Sequence, residues 1–195
     1  MSKQQAVDNF ERWAQLVQSI AETRGSNAKI ELCADYLAQL SSSQLALACQ
    51  YIGEGAFSNI SGKRASIGSR TIGMAAADYC KIDYDIVFKA CRTATGSSTE
   101  TIQRLFENLT ETRQKNTLKH WNLAHISELT EELAQTRSRK DKQRILTRIW
   151  SGLSPLASKY FLRLLSQGSL RIGFESRSVL QALAKSCQVD YEQLR

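Results

Sequence analysis

Between residues 168 and 177, two glycines, Gly168 and Gly173, stand with Leu170, Arg171, Ser176 and Arg177. Together these residue types suit one chemistry, the holding of a phosphodiester. Glycines let backbone amides come close to a ligand. A helix beginning at Ser176 would offer unpaired N–H groups at the positive end of its dipole. The arginines add charge and forked donors. Such a device holds a nucleic-acid backbone without reading a base. An ordinary helix hairpin with solvated arginines would read the same way in this stretch alone.

Two helices must position that loop. Ser154 can cap the first, and Pro155 suits its first turn. Leu156, Tyr160, Phe161, Leu164 and Leu165 then recur at helical spacing, which gives one apolar face. Lys159 and Arg163 sit four residues apart on another face. Gln167-Gly168 is a stop signal. The second helix, from Ser176, turns Val179, Leu180, Leu183 and Ala184 inward.

The chain carries this arrangement twice. At an offset of 113 residues, Thr23-Arg24 meets Thr136-Arg137, Lys29 meets Lys142, Leu40-Ser41 meets Leu153-Ser154, and Gly55 meets Gly168. Asn9, Leu16, Ile20 and Ala21 meet Asn122, Leu129, Leu133 and Ala134 at the same offset. The first copy then spends extra residues, and Ile67-Gly68 matches Ile172-Gly173 at an offset of 105. Ser69-Arg70 matches Ser176-Arg177 at 107, and both following helices end on a cysteine, Cys80 and Cys187. The expectation is two similar helical halves, each presenting a loop of the same kind. A pseudo-twofold pair would suit a duplex, whose strands share local twofold symmetry.

The stretch LSPLASKYFLRLLSQGSLRIGFESRSVLQALA resembles the end of the N-terminal DNA-binding domain of ATP-dependent DNA ligases. That family carries a helix, a loop like LRIG, and a helix that opens with Ser-Val-Leu and closes on alanines. The resemblance covers nearly the whole chain and is specific only in this stretch. It implies a domain on the minor-groove side of nicked duplex DNA, holding backbone on both sides of the break. It also implies a parent enzyme that uses ATP and Mg2+ in DNA replication, repair and recombination, with catalytic domains beyond this chain.

Composition agrees with a polyanion partner. The chain of 195 residues has 26 Lys and Arg against 19 Asp and Glu, a net charge of +7 and a pI near 9.3. An aromatic content of 8% argues against a surface that stacks single-stranded bases. One proline and short apolar blocks predict an all-helical fold. No apolar run approaches the ~20 residues of a membrane span, and residues 1–5 lack a signal-peptide core. These readings predict a monomer of the cytoplasm, nucleoid or nucleus that is not secreted. Five cysteines without a C-x-x-C pair are expected to be reduced, buried and inert.

In chain order, the first half is expected over residues 6–92, a connector over 93–117 and the second half over 118–195. Helices are predicted over 6–22 and 28–40, from Ser41 to about residue 52, and through an alanine-rich run ending at Tyr79. A further helix over 83–91 would turn Ile86, Val87 and Cys91 inward. Ser127 is expected to cap a helix through Ala134, and another helix runs over 143–150. Arg24 and Lys29 flank the first helix–helix turn. Arg139 and Lys142 stand in the equivalent turn of the second half, inside the densest basic run. Ser61, Gly62, Lys63 and Arg64 form a polar loop with a basic end, leading to Gly68, Ser69 and Arg70. All of these are candidate phosphate contacts, and solvated surface charge is the alternative at each.

Catalytic chemistry is not legible. Ligases of this kind take AMP on the lysine of a Lys-x-Asp-Gly motif. Here Lys81-Ile82-Asp83 is followed by Tyr84, inside the helical repeat. No phosphate-binding G-x-x-x-x-G-K or G-x-G-x-x-G occurs. His120 and His125 lack further ligands for a metal. No catalytic residue, metal site or cofactor is therefore expected in this chain, which reads as the DNA-binding part of a longer ligase. A helical-repeat scaffold for protein partners and a stand-alone duplex-binding protein remain open alternatives.

Overall fold

The computed structural model describes residues 9–58, 61–113, 121–166 and 170–193. All regular structure among them is helical: α1 Phe10–Glu22, α2 Ser26–Leu37, α3 Ser42–Gly53, α4 Ser69–Cys80, α5 Lys89–Thr95, α6 Ser98–Arg113, α7 Leu123–Gln135, α8 Arg139–Trp150, α9 Pro155–Leu165 and α10 Ser176–Cys187. A π turn, Tyr84–Phe88, precedes α5, and a 3-10 turn, Tyr191–Gln193, follows α10. The all-α expectation holds. None of the described helices is long and apolar enough to cross a membrane.

Local chemistry starts most of the helices. The Asn9 side chain accepts from the Glu11 N–H at 2.9 Å, and Asn122 accepts from the His125 N–H at 2.8 Å. Ser138 and Ser154 cap α8 and α9 in the same way, with Pro155 in the first turn of α9. Ser41 and Gln44 form a capping box on α3. The expected cap Ser127 lies inside α7, because Asn122 claims the helix start one turn earlier.

Helices distant in sequence pair across one continuous core. The α1 helix packs on α9, α2 on α10, α3 on α7, and α4 on α8. Trp13 stands edge-on to Tyr51 and Tyr160, while Trp150 meets Tyr79 and Phe106. The Tyr51 hydroxyl donates to the Leu123 carbonyl at 3.1 Å, and the Phe10 N–H donates to the Trp121 carbonyl at 2.9 Å. These bonds tie the first helices to the start of α7.

Residues 83–91 are helical as expected, but begin as a π turn, which corrects the expected inward face. Asp83 caps this segment by accepting from the Ile86 N–H at 2.6 Å, and both Val87 and Phe88 donate to the Asp83 carbonyl. The wider turn takes one more residue than an α turn and rotates the following side chains. Ile86 is therefore 75% exposed rather than inward, and Val87 is also exposed, while Phe88 fills the core. The cysteines differ as well: Cys33 is buried, but Cys187 is exposed.

Candidate nucleic-acid interface

Two loops carry most of the candidate residues, 61–68 before α4 and 170–175 before α10. The helices they feed lack a side-chain cap, with Gly68 and Glu175 at the N-cap positions. First-turn N–H groups of both helices are thus left without that intramolecular partner. This matters for anions, since such groups and the helix dipole together favour negative charge.

Each loop also bends through left-handed backbone. Gly62 and Ser66 have φ of +63° and +47°, and Arg171 and Gly173 have φ of +57° and +62°. Gly173 is where glycine is needed: a Cβ there would meet the Lys29 Nζ at 3.1 Å on top of the unfavourable φ. Gly68 is different. Its backbone is extended, with φ of −71°, and space around it is open, so its lack of a side chain bares the start of α4.

Lys29 and Lys142 hold these loops. The Lys29 ammonium on α2 donates to the carbonyls of Ile172 and Gly173 at 2.7 and 3.2 Å. The Lys142 ammonium on α8 donates to the carbonyls of Ala65 and Ser66, both at 3.0 Å. Lys142 is only 8% exposed. Sequence alone suggests phosphate contacts for both lysines; in the structure their ammonium groups donate to loop carbonyls.

The lysine bonds give the two loops a register that differs from the letter match. Ala65 and Ser66 correspond to Ile172 and Gly173, an offset of 107, and the N-caps Gly68 and Glu175 share it. The helix ends continue it, since Lys81 and Gln188 are both left-handed C-caps. The letter match of Ile67-Gly68 to Ile172-Gly173 is therefore displaced by two residues. The Ser69-Arg70 and Ser176-Arg177 pairs share this offset of 107.

The remaining candidates fall as follows. Ser61, Lys63, Arg64, Ser69, Arg70, Arg171 and Arg177 are exposed on the loops and helix starts. Lys63 is 2.9 Å from Glu131. Ser176 is exposed, and its hydroxyl donates to the Gly53 carbonyl at 3.1 Å. Leu170 is buried and anchors its loop, and its carbonyl accepts from Arg163 at 3.3 Å. Arg24 is exposed between α1 and α2, and Arg139 is the exposed first residue of α8. Gly168 and His120 lie outside the described residues. Ser66, Ile67 and Phe174, absent from the sequence-based candidates, lie in the same loops with their backbone beside the lysine-bonded carbonyls. The one signal for them was the recurrence of a lysine at a constant offset.

Lys81 is the left-handed C-cap of α4, and the Asp83 carboxylate is engaged in capping the π turn. Among the described residues, no group of three or more His, Cys, Asp or Glu could hold a metal ion. His125 is exposed, with Nδ1 2.8 Å from the Asn122 side-chain oxygen.

A family model described as DNA ligase N terminus matches residues 9–184. Among individual curated proteins, none matches the chain.

Proposed function

We propose a function from one premise: the chain belongs to the family of N-terminal domains of ATP-dependent DNA ligases. Its task is to grip the phosphate backbone of nicked duplex DNA on both sides of the nick. Catalytic domains of a parent ligase then join the ends. ATP and Mg2+ supply the adenylation chemistry in those domains, and no residue of this chain takes part in it. The protein works as a monomer wherever chromosomal DNA lies, in a nucleoid or a nucleus.

One observation carries this reading: two loops, each with carbonyls bonded to a lysine and a left-handed residue at Ser66 or Gly173, lead into helices without a side-chain cap. Backbone amides at 66–67 and 173–174, with the first turns of α4 and α10, would take phosphate oxygens. Arg70, Arg171 and Arg177 would supply the charge, with Arg24, Lys63, Arg64 and Arg139 around them. Half one (6–92) and half two (118–195), joined by a connector over 93–117, would each serve one side of the nick. The crossed pairing of α2 with α10 and α4 with α8 supports that division, since like elements of two copies exchange partners.

A salt titration of binding to nicked, intact and single-stranded DNA of one sequence tests the reading. The expected result is duplex preferred over single strand, nicked duplex preferred over intact, and affinity falling steeply with salt. Absence of duplex binding even at low salt would sink it.

A further inference from the structure

We propose that Lys29 and Lys142 are positioning residues: each turns backbone N–H groups of a distant loop outward by anchoring the opposite carbonyls. The inference rests on the phosphate-gripping reading of the two loops and adds the residues that hold the grip in shape.

The argument is geometric. All peptide bonds described are trans. In a trans peptide the carbonyl of one residue and the N–H of the next point in opposite directions. The Ile172 and Gly173 carbonyls both face the Lys29 ammonium. The N–H groups of Gly173 and Phe174 must then face away from it. In the other loop the Ala65 and Ser66 carbonyls face Lys142, so the N–H groups of Ser66 and Ile67 face away. None of these four N–H groups has a partner among the described residues.

Unsatisfied backbone donors next to exposed arginines are an anion-binding arrangement. The same loops hold left-handed residues, which a free loop would leave readily. An ammonium bridging two carbonyls is a compact way to keep them there. Lysine suits this task because its three donors sit on one small charge at the end of a long stem. The tethers also cross the molecule: Lys29 is 143 residues from Ile172, and Lys142 is 77 from Ala65.

Direct phosphate contact and positioning predict different salt behaviour. A cation that touches phosphate contributes about 0.9 to the log–log salt slope. A lysine acting through neutral amides contributes to affinity and leaves the slope alone.

The test compares Lys29→Met, Lys142→Met and Lys29→Arg with the unaltered chain. Three quantities are read: duplex affinity, its salt slope, and backbone order parameters of residues 66, 67, 173 and 174 without DNA. In Lys29→Met, affinity should fall roughly tenfold, as expected when one or two amide–phosphate bonds no longer form, with an unchanged slope. Order at Gly173 and Phe174 should drop from about 0.85 to below about 0.6, while Ser66 and Ile67 stay rigid. Lys142→Met should show the converse, and Lys29→Arg should recover much of the loss. Lys142 is buried and its variant risks misfolding, so half-exposed Lys29 carries the test by itself if needed. Rigid loops in Lys29→Met, undiminished affinity, or a slope lowered by about 0.9 would each overturn positioning. Failure of the unaltered protein to bind duplex would instead overturn the reading beneath it.

Discussion

Lys159 on α9 and Glu100 on α6 meet at 3.0 Å in the interior, and Arg163 reaches the same carboxylate oxygen at 2.8 Å. The Lys159 side chain is 8% exposed and that of Glu100 32%. Both cations also lie over the Tyr160 ring. The face of α9 that reads as its polar side is thus packed against α6 and neutralised there. Removing the carboxylate would strand two poorly solvated cations. Glu100→Gln should lower stability by about 2 kcal/mol, below the range for a fully buried pair because Glu100 retains some solvent. Urea denaturation reads this directly, and an unchanged midpoint would refute the coupling.

Gly73 on α4 faces two stacked rings. A Cβ there would lie 2.8 Å from ring atoms of both Tyr84 and Phe88. Gly73→Ala should cost about 1–3 kcal/mol by overpacking, despite alanine's better helix propensity. A rise in Tm would show that the π turn can move aside.

Ser66 and Gly173 occupy equivalent left-handed positions, one with a Cβ and one without. Replacing Ser66 by glycine should relieve strain and raise stability by up to about 1 kcal/mol. Gly173→Ala should lower it by about 1–2 kcal/mol and disturb Lys29. Thermal melts of the two variants should move in opposite directions, and shifts of the same sign would count against the shared conformation.

Arg171→Ala and Arg177→Ala should each weaken duplex binding to the same extent for unrelated sequences. Each should reduce the log–log salt slope by about 0.9, as expected when one cation no longer neutralises a phosphate. Anisotropy titrations at several salt concentrations provide the readout. A wild-type slope in both variants would remove these arginines from the interface.

The cysteines should differ in reactivity. Burial, helped by the neighbouring Cys49, pushes the Cys33 thiol up to about 12. Burial likewise raises Cys49 to about 11. A thiol-directed reagent should label exposed Cys187 first and Cys33 only on unfolding. The folded state holds these protons more tightly than the unfolded chain, so stability is full at neutral pH. It should decline as pH rises above about 9, where only unfolded thiols ionise. Flat stability between about pH 8 and 10.5 would contradict this.

Much of the fold was legible because its signals are local. Apolar residues at helical spacing marked α1 and α9, and Ser41 and Ser154 announced their helix starts. Where a local signal had a nearby competitor, the reading slipped. Asn122 took the cap from Ser127, and the π turn threw Ile86 outward against its apolar character. Neither outcome changes composition or periodicity enough to be read in advance.

The site was legible in part for the same reason. Glycines and arginines around residues 62–70 and 168–177 marked the candidate loops, since those types together suit a phosphate backbone. The direction of a lysine side chain is not a local property. Its stem is flexible, and its ammonium donates to water, phosphate or carbonyl alike. Sequence by itself determined an all-helical chain, its apolar faces, and two loops bearing glycine and arginine. Tertiary structure decided that α2 lies against α10 and α4 against α8, which brought Lys29 and Lys142 onto carbonyls far along the chain. The bonds depend on spatial neighbours that loop closure and core packing select together; the constant offset between Lys29 and Lys142 marks the lysines and not their partners.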